Sequence, residues 1–183
     1  MSPARRGSYR NPANWLTLLR VALVPLIAAL LLAEGGPARW WALAVFGFAA
    51  LTDSFDGWVA RRRLGTTRWG QLADPAADKV LIVGTLAILA WLGEVAWWAL
   101  AVIVVREVAV TVQRSRLAKR GTVMPASIFG KAKTVSQIVA VILILAPPVP
   151  EPFAMAALWI AVALTILSGL EYARRGGRLE RVG

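Results

Sequence analysis

Four aspartates in one short stretch are the residues of this chain best suited to chemistry. Residues 53–79 read DSFDGWVARRRLGTTRWGQLADPAADK, with Asp53 and Asp56 three apart and Asp74 and Asp78 four apart. On helices both spacings put the pair on one face. Carboxylates crowded in this way repel one another unless cations neutralise them. The chain contains no His and no Cys, which excludes an imidazole base, thiolate chemistry and HExxH metal sites. Oxygen-only ligation suits Mg²⁺ or Mn²⁺ rather than zinc. Two such ions a few ångströms apart form a clamp for phosphoryl transfer. Gly57 and Ala60, small residues beside the aspartates, let a bulky ligand approach the backbone. The competing reading pairs the aspartates with Arg61, Arg62, Arg63 and Arg68 as helix-end anchors. It accounts for each aspartate singly but not for four together, because ionisable groups within apolar spans are costly and mark function.

The elements that must position these residues follow from composition. Hydrophobic residues make up 58% of the 183 residues and charged ones 17%. A soluble domain has about 45–50% apolar and about 25% charged residues. There is too little polar surface here for a water-soluble globule, so the chain reads as an integral membrane protein. Crossing a bilayer takes about 20 mostly apolar residues. Six candidate spans meet that demand: Trp15–Ala33, Trp40–Val59, Leu72–Leu92, Val95–Val112, Thr134–Leu145 and Pro152–Leu170. The fifth is short and is expected to begin nearer Phe129. Gly35-Gly36-Pro37, Gly93-Glu94 and Pro147-Pro148-Val149-Pro150 supply the turns between spans. The expected fold is therefore all-α and polytopic, one domain over 1–183 with six transmembrane helices. A short N-terminal segment, 1–13, and a basic tail, 172–183, flank it. The brief connection Arg62–Trp69 makes spans 2 and 3 antiparallel neighbours, so that the two aspartate pairs can converge.

Lys and Arg set the orientation. One set of flanks holds Arg5, Arg6 and Arg10, then Arg61 to Arg63 and Arg68, then Arg114, Arg116, Lys119, Arg120, Lys131 and Lys133, and last Arg174, Arg175, Arg178 and Arg181. The opposite flanks hold Arg39 with Glu34, Glu94 and Glu151. Both termini and the aspartates are thus expected on the cytoplasmic side of the cell membrane. The net charge of +11 reflects those loops and their anionic lipid headgroups, with no nucleic-acid partner implied. Asn14, Thr17 and Arg20 interrupt the first apolar run and no A-x-A pattern follows it, so a cleaved signal peptide is not expected. Trp40-Trp41 and Trp97-Trp98 fall at outer span ends and read as interfacial anchors.

A second constellation is basic. Arg106-Glu107 lies well inside the fourth apolar stretch, and Arg114 lies two turns further toward the cytoplasm. Lys131 and Lys133 open the fifth span, where a helix N-terminus also favours anions. Arg114, Lys131 and Lys133 individually are explained by the cytoplasmic-positive bias. Arg106 is too deep for a purely topological role, although Glu107 can neutralise it. Together the cluster suits an acceptor that already carries phosphate.

The pattern Asp53-x2-Asp56-Gly57-x2-Ala60-Arg61-x8-Gly70-x3-Asp74-x3-Asp78 resembles the signature of the CDP-alcohol phosphotransferase family. The resemblance covers most of the chain and implies that family's fold, six transmembrane helices with a cytoplasm-facing site. It implies transfer of the phosphatidyl group of a CDP-linked lipid to an acceptor hydroxyl, with CMP leaving. By the same resemblance Asp53, Asp56 and Asp74 hold two Mg²⁺ (or Mn²⁺) ions, and Asp78 completes the metal site and acts as general base. Gly57, Ala60, Arg61 and Gly70 line the CDP pocket. Homodimers are common in the family.

Two further segments bear on the acceptor. RNPANWLTLLRVALVP near the N-terminus and REVAVTVQR…GTVMPASIFGKAKT resemble family members that join CDP-diacylglycerol to glycerol 3-phosphate, with Pro12 and Ala13 transposed relative to the usual order. That likeness implies that Asn14 and Thr17 touch the nucleotide and that Arg106, Arg114, Lys131 and Lys133 bind glycerol 3-phosphate. Members that use phosphatidylglycerol or inositol phosphate as acceptor share much of these segments and stay open as alternatives. A transporter is the rival from another class, since intramembrane carboxylates also mark ion pathways. Against it, the aspartates cluster at one membrane face and no inverted repeat is evident.

Overall fold

The computed structural model describes the backbone of residues 12–33, 36–63, 70–119 and 127–182, and the side chains of 19–33, 36–52, 79–118 and 127–177. Six helices and no strands occupy the described residues: α1 (Pro12–Leu32), α2 (Gly36–Arg63), α3 (Gly70–Trp91), α4 (Trp97–Lys119), α5 (Ile128–Leu145) and α6 (Glu151–Val182). Each expected span overlaps one of these helices, although Ala33, Leu92, Val95 and Ala96 lie outside them. The differences lie at their ends, where polar sequence continues the helix beyond the apolar core.

Each well-described boundary has a local cause. At the end of α3, Gly93 takes φ +79°, a left-handed conformation open to glycine because it has no Cβ. The Gly93 N–H then donates to the Ala90 carbonyl at 3.1 Å and the Glu94 N–H to the Leu89 carbonyl at 2.9 Å. Both bonds satisfy carbonyls that the helix end would leave unpaired. Helix α5 begins at Ile128, close to the expected Phe129, because Ser127 caps it: its hydroxyl accepts from the Gly130 N–H at 2.9 Å. It stops at Leu145, two residues before Pro147-Pro148, since proline neither donates to nor fits a continuing helix. Glu151 opens α6 in the first turn, where the helix dipole favours negative charge.

Residues 1–84 and 85–183 form two compact units. In the first, α1 packs on α2. Ala42, Phe46 and Ala49 are buried at helical spacing along α2, and Ile27 is buried on α1. Gly84 of α3 lies so close to α1 that a Cβ there would stand 2.7 Å from Val24 Cγ1.

In the second unit α6 packs against both α4 and α5. Gly169 faces Arg106, and seven residues on Gly176 faces Gln113, also seven residues on. The matched increments make α4 and α6 parallel. Helix α5 runs the other way: Gln137 Nε2 donates to Thr165 Oγ1 at 2.9 Å, while the earlier Ser127 donates its N–H to the later Tyr172 Oη at 3.2 Å. At the opposite end the Trp98 and Trp159 rings stack with centroids 4.6 Å apart.

Two described helices, α5 and the 151–177 portion of α6, are long and apolar enough to cross a membrane, and Leu19–Leu32 and Lys79–Trp91 form shorter apolar stretches. In both long helices only 33% of the apolar window is buried. Val105, Val108, Ile160, Ile166, Leu167 and Leu170 are exposed instead. So much outward apolar surface fits lipid rather than water, and the molecule is a membrane protein. Helix α4 interrupts its apolar run with Arg106, Glu107, Arg114 and Arg116. At about 1.5 Å per residue, the 32 residues of α6 extend about 48 Å, beyond a hydrocarbon core of about 30 Å. The basic segment from Tyr172 onward continues this helix as far as Val182.

Candidate active site

The acidic residues of the first unit are defined at the level of helices. Asp53, Asp56, Gly57, Ala60 and Arg61 belong to α2, and Gly70, Asp74 and Asp78 to α3. The i,i+3 and i,i+4 spacings therefore sit on helical backbone, as their sequence requires. Asn14 and Thr17 lie three apart in the first turns of α1. The side chains of all ten residues lie outside the described ones. Among the described residues no group of three or more acidic side chains could hold a metal ion. The donor set of the four aspartates is wholly carboxylate, the chemistry that suits hard divalent cations.

The basic cluster of the second unit is visible in side-chain detail. Glu107 on α4 is buried, and its Oε1 accepts from Arg106 Nη1 at 3.0 Å and from the buried Lys133 Nζ of α5. Arg106 Nη2 donates to the buried Ser168 hydroxyl of α6. One carboxylate thus ties two cations from two helices, and the third helix holds Arg106 from the other side. The side chains of Arg106, Glu107 and Lys133 are 10%, 8% and 5% exposed. Arg106 and Lys133 thus converge on one buried carboxylate, with little water to screen their charges. Arg106 Nε is buried and has no hydrogen-bond partner among the described residues. A buried donor left unpaired is uncommon in native structures, and an anion would satisfy it.

Of the four cations expected to bind acceptor phosphate, Arg106 and Lys133 come together on Glu107. Arg114 is exposed, yet its guanidinium carbon stands 5.9 Å from the centroid of the Tyr172 ring, the ring that Arg106 approaches to 5.3 Å. Such distances are in the range of cation–π attraction. Lys131 is also exposed. Two residues from Lys133 on a helix, it faces away from the cluster that Lys133 joins.

Two residues that sequence reasoning passed over complete this arrangement. Tyr172 is buried, accepts from the Ser127 N–H, and carries its ring beneath both arginines. It ties the capped start of α5 to α6. Ser168 is fully buried and holds the Arg106 fork. Their sequence signal was faint. Ser168 is an ordinary polar interruption near a span end, and Tyr172 stands among the arginines of what reads as a solvated tail.

Comparison with known proteins agrees with this architecture. Residues 10–167 match the family model for CDP-alcohol phosphatidyltransferase. A probable phosphatidylglycerophosphate synthase of Mycobacterium tuberculosis is 41% identical over 181 residues, covering 96% of this chain and 86% of that protein. The CDP-diacylglycerol–glycerol-3-phosphate 3-phosphatidyltransferase of Bacillus subtilis is 38% identical over 182 residues, with 88% of this chain and 93% of that one covered. A protein of the same name from Pectobacterium atrosepticum is 38% identical over 172 residues, with 88% and 92% covered. With matches of this extent, and with the aspartate signature carried on α2 and α3, the chain belongs to the CDP-alcohol phosphatidyltransferase family.

Proposed function

We propose that this protein transfers the phosphatidyl group of CDP-diacylglycerol to glycerol 3-phosphate, releasing CMP and forming phosphatidylglycerophosphate for anionic phospholipid synthesis. The reading agrees with the names of relatives that align over most of both chains. The observation that carries the choice of acceptor is the buried Arg106–Glu107–Lys133 cluster, in which Arg106 Nε has no hydrogen-bond partner among the described residues. A phosphorylated acceptor brings an oxygen that this donor can bind.

In this mechanism Asp53, Asp56, Asp74 and Asp78 hold two divalent cations, Mg²⁺ or Mn²⁺. When bound, these ions supply electrophilic stabilisation of charge on the diphosphate. Asp78 accepts the proton of the glycerol hydroxyl. Asn14, Thr17, Gly57, Ala60, Arg61 and Gly70 position the cytidine diphosphate portion of the lipid. Arg106 and Lys133, oriented through Glu107, hold the acceptor phosphate, and Arg114 and Lys131 add charge at its approach. All six helices span the cell membrane, with both termini and the site facing the cytoplasm, and the protein works as a homodimer.

An acceptor panel tests this function. Purified protein with CDP-diacylglycerol and Mg²⁺ is offered glycerol 3-phosphate, inositol phosphate, phosphatidylglycerol, serine or no acceptor, and CMP release is read. Release with glycerol 3-phosphate alone is expected. Preference for phosphatidylglycerol or inositol phosphate would reassign the acceptor, and silence with both Mg²⁺ and Mn²⁺ would overturn the enzymatic reading in favour of a transporter.

A further inference from the structure

A groove of about 840 Å³ runs between α4 and α6, on the outer surface of the second unit. Val102, Val105 and Ala109 line it from α4, and Ile166, Leu170 and Ala173 from α6. Val105, Ile166 and Leu170 are exposed, so its walls are apolar and open to the surroundings. Gly169 keeps it deep. A Cβ there would come within 3.1 Å of Arg106 Cγ.

The groove is not apolar throughout. Gln113 and Arg116 lie at its α4 C-terminal end and Arg106 lies along it. Val102, Val105, Ala109, Gln113 and Arg116 follow one another at three- and four-residue steps, so they form one stripe on α4. At about 1.5 Å per residue, Val102 to Arg116 extends about 21 Å. One membrane leaflet contributes about 15 Å of hydrocarbon, which leaves the remainder for a headgroup. Arg116 is exposed and has no ion pair among the described residues. An aliphatic channel of leaflet length that ends in a guanidinium and an amide matches an acyl chain joined to a phosphate.

We infer that the α4–α6 groove binds an anionic diacyl phospholipid of the surrounding membrane, with an acyl chain along Val102–Ala109 and the headgroup phosphate at Gln113 and Arg116. Arg106 borders the groove and also pairs with Glu107. The inference rests on the reading of α4 and α6 as membrane-embedded.

Native mass spectrometry of the full chain, after exchange into equal amounts of phosphatidylglycerol and phosphatidylcholine with the same acyl chains, tests it. The expected result is retention of phosphatidylglycerol over phosphatidylcholine by roughly fivefold, the effect of one basic residue at an anionic surface. Arg116→Ala should erase that preference, and Ala109→Phe should lower retention of both lipids by filling the channel. Both variants should keep wild-type CMP release, which shows them folded. Equal retention by the wild type, or a preference that survives both variants, would overturn the proposal. So would a raised KM for CDP-diacylglycerol in Ala109→Phe, which would assign the groove to the substrate's own chains. A change of oligomeric mass in that variant with lipid retention intact would assign it to a second copy and overturn it equally. Absence of CMP release from wild-type protein strikes the proposed function, whereas lipid retention is read by mass independently of turnover.

Discussion

Glu107→Gln is the perturbation that bears most directly on the acceptor cluster. The substitution keeps size and hydrogen-bonding capacity but removes the carboxylate that joins Arg106, at 3.0 Å, to Lys133. All three side chains are at most 10% exposed, so water cannot take over the lost compensation. Removing one partner of a buried pair costs about 3–5 kcal/mol, since the charge left behind stays desolvated. Both cations depend on one oxygen, which places the cost within that range rather than at twice it. For a chain of this size, about 1 kcal/mol moves the unfolding temperature by about 2–4 °C. The variant should therefore melt roughly 6–20 °C below the wild type. Thermal unfolding in detergent, followed by the fluorescence of the 9 tryptophans, gives that number. If the cluster receives the acceptor phosphate, glycerol 3-phosphate should raise the melting temperature of the variant more than that of the wild type, because the ligand then supplies the missing negative charge. A variant as stable as the wild type would refute the compensating role of Glu107. Lost stability with equal ligand response in both proteins would detach the cluster from acceptor binding.

Asp78→Asn should abolish CMP release while leaving the unfolding temperature and CDP-lipid binding close to wild type; normal turnover would remove the assigned base. Arg106→Ala should raise the apparent KM for glycerol 3-phosphate with a smaller effect on kcat, and an unchanged acceptor dependence would count against its phosphate role. Tyr172→Phe leaves the buried Ser127 N–H without its acceptor, which should cost about 1–3 kcal/mol in thermal unfolding, with the ring beneath the arginines retained. Gly84→Ala should destabilise by about 1–3 kcal/mol, since its Cβ would stand 2.7 Å from the stiff Val24 side chain. Gly47→Ala, with nothing within 4 Å, should be neutral or stabilising by up to about 1 kcal/mol, and the two melting curves compared side by side give the contrast.

The family and the two aspartate pairs were legible because their information is local. A carboxylate pair at i,i+3 or i,i+4 shares a helix face whatever the rest of the chain does. The helix order was legible for the same reason, since apolar runs broken by Gly-Glu and Pro-Pro dictate where a membrane helix can start and stop. The apolar length of α5 and of the 151–177 portion of α6, enough to cross a membrane, was legible in the same way. By contrast, Arg106, Lys131, Lys133 and Arg114 stand in the sequence as equal members of one basic group. Tertiary packing separates them: Lys133 turns inward to Glu107, Lys131 stays exposed, and Arg106 is held by Ser168, 62 positions away. Tyr172, in what reads as a solvated tail, becomes the buried link between α5 and α6.

The sequence by itself determined the order of the helices and which carboxylate positions share a helix face, because backbone hydrogen bonding and side-chain period act within a few residues. Only the tertiary structure decided which charge meets which. That depends on the parallel register of α4 with α6 and the antiparallel register of α5, set where Gly169 and Gly176 admit side chains of α4. A one-dimensional pattern fixes the face of a helix but not its partner or its axial offset, and a buried ion pair forms only when both are right.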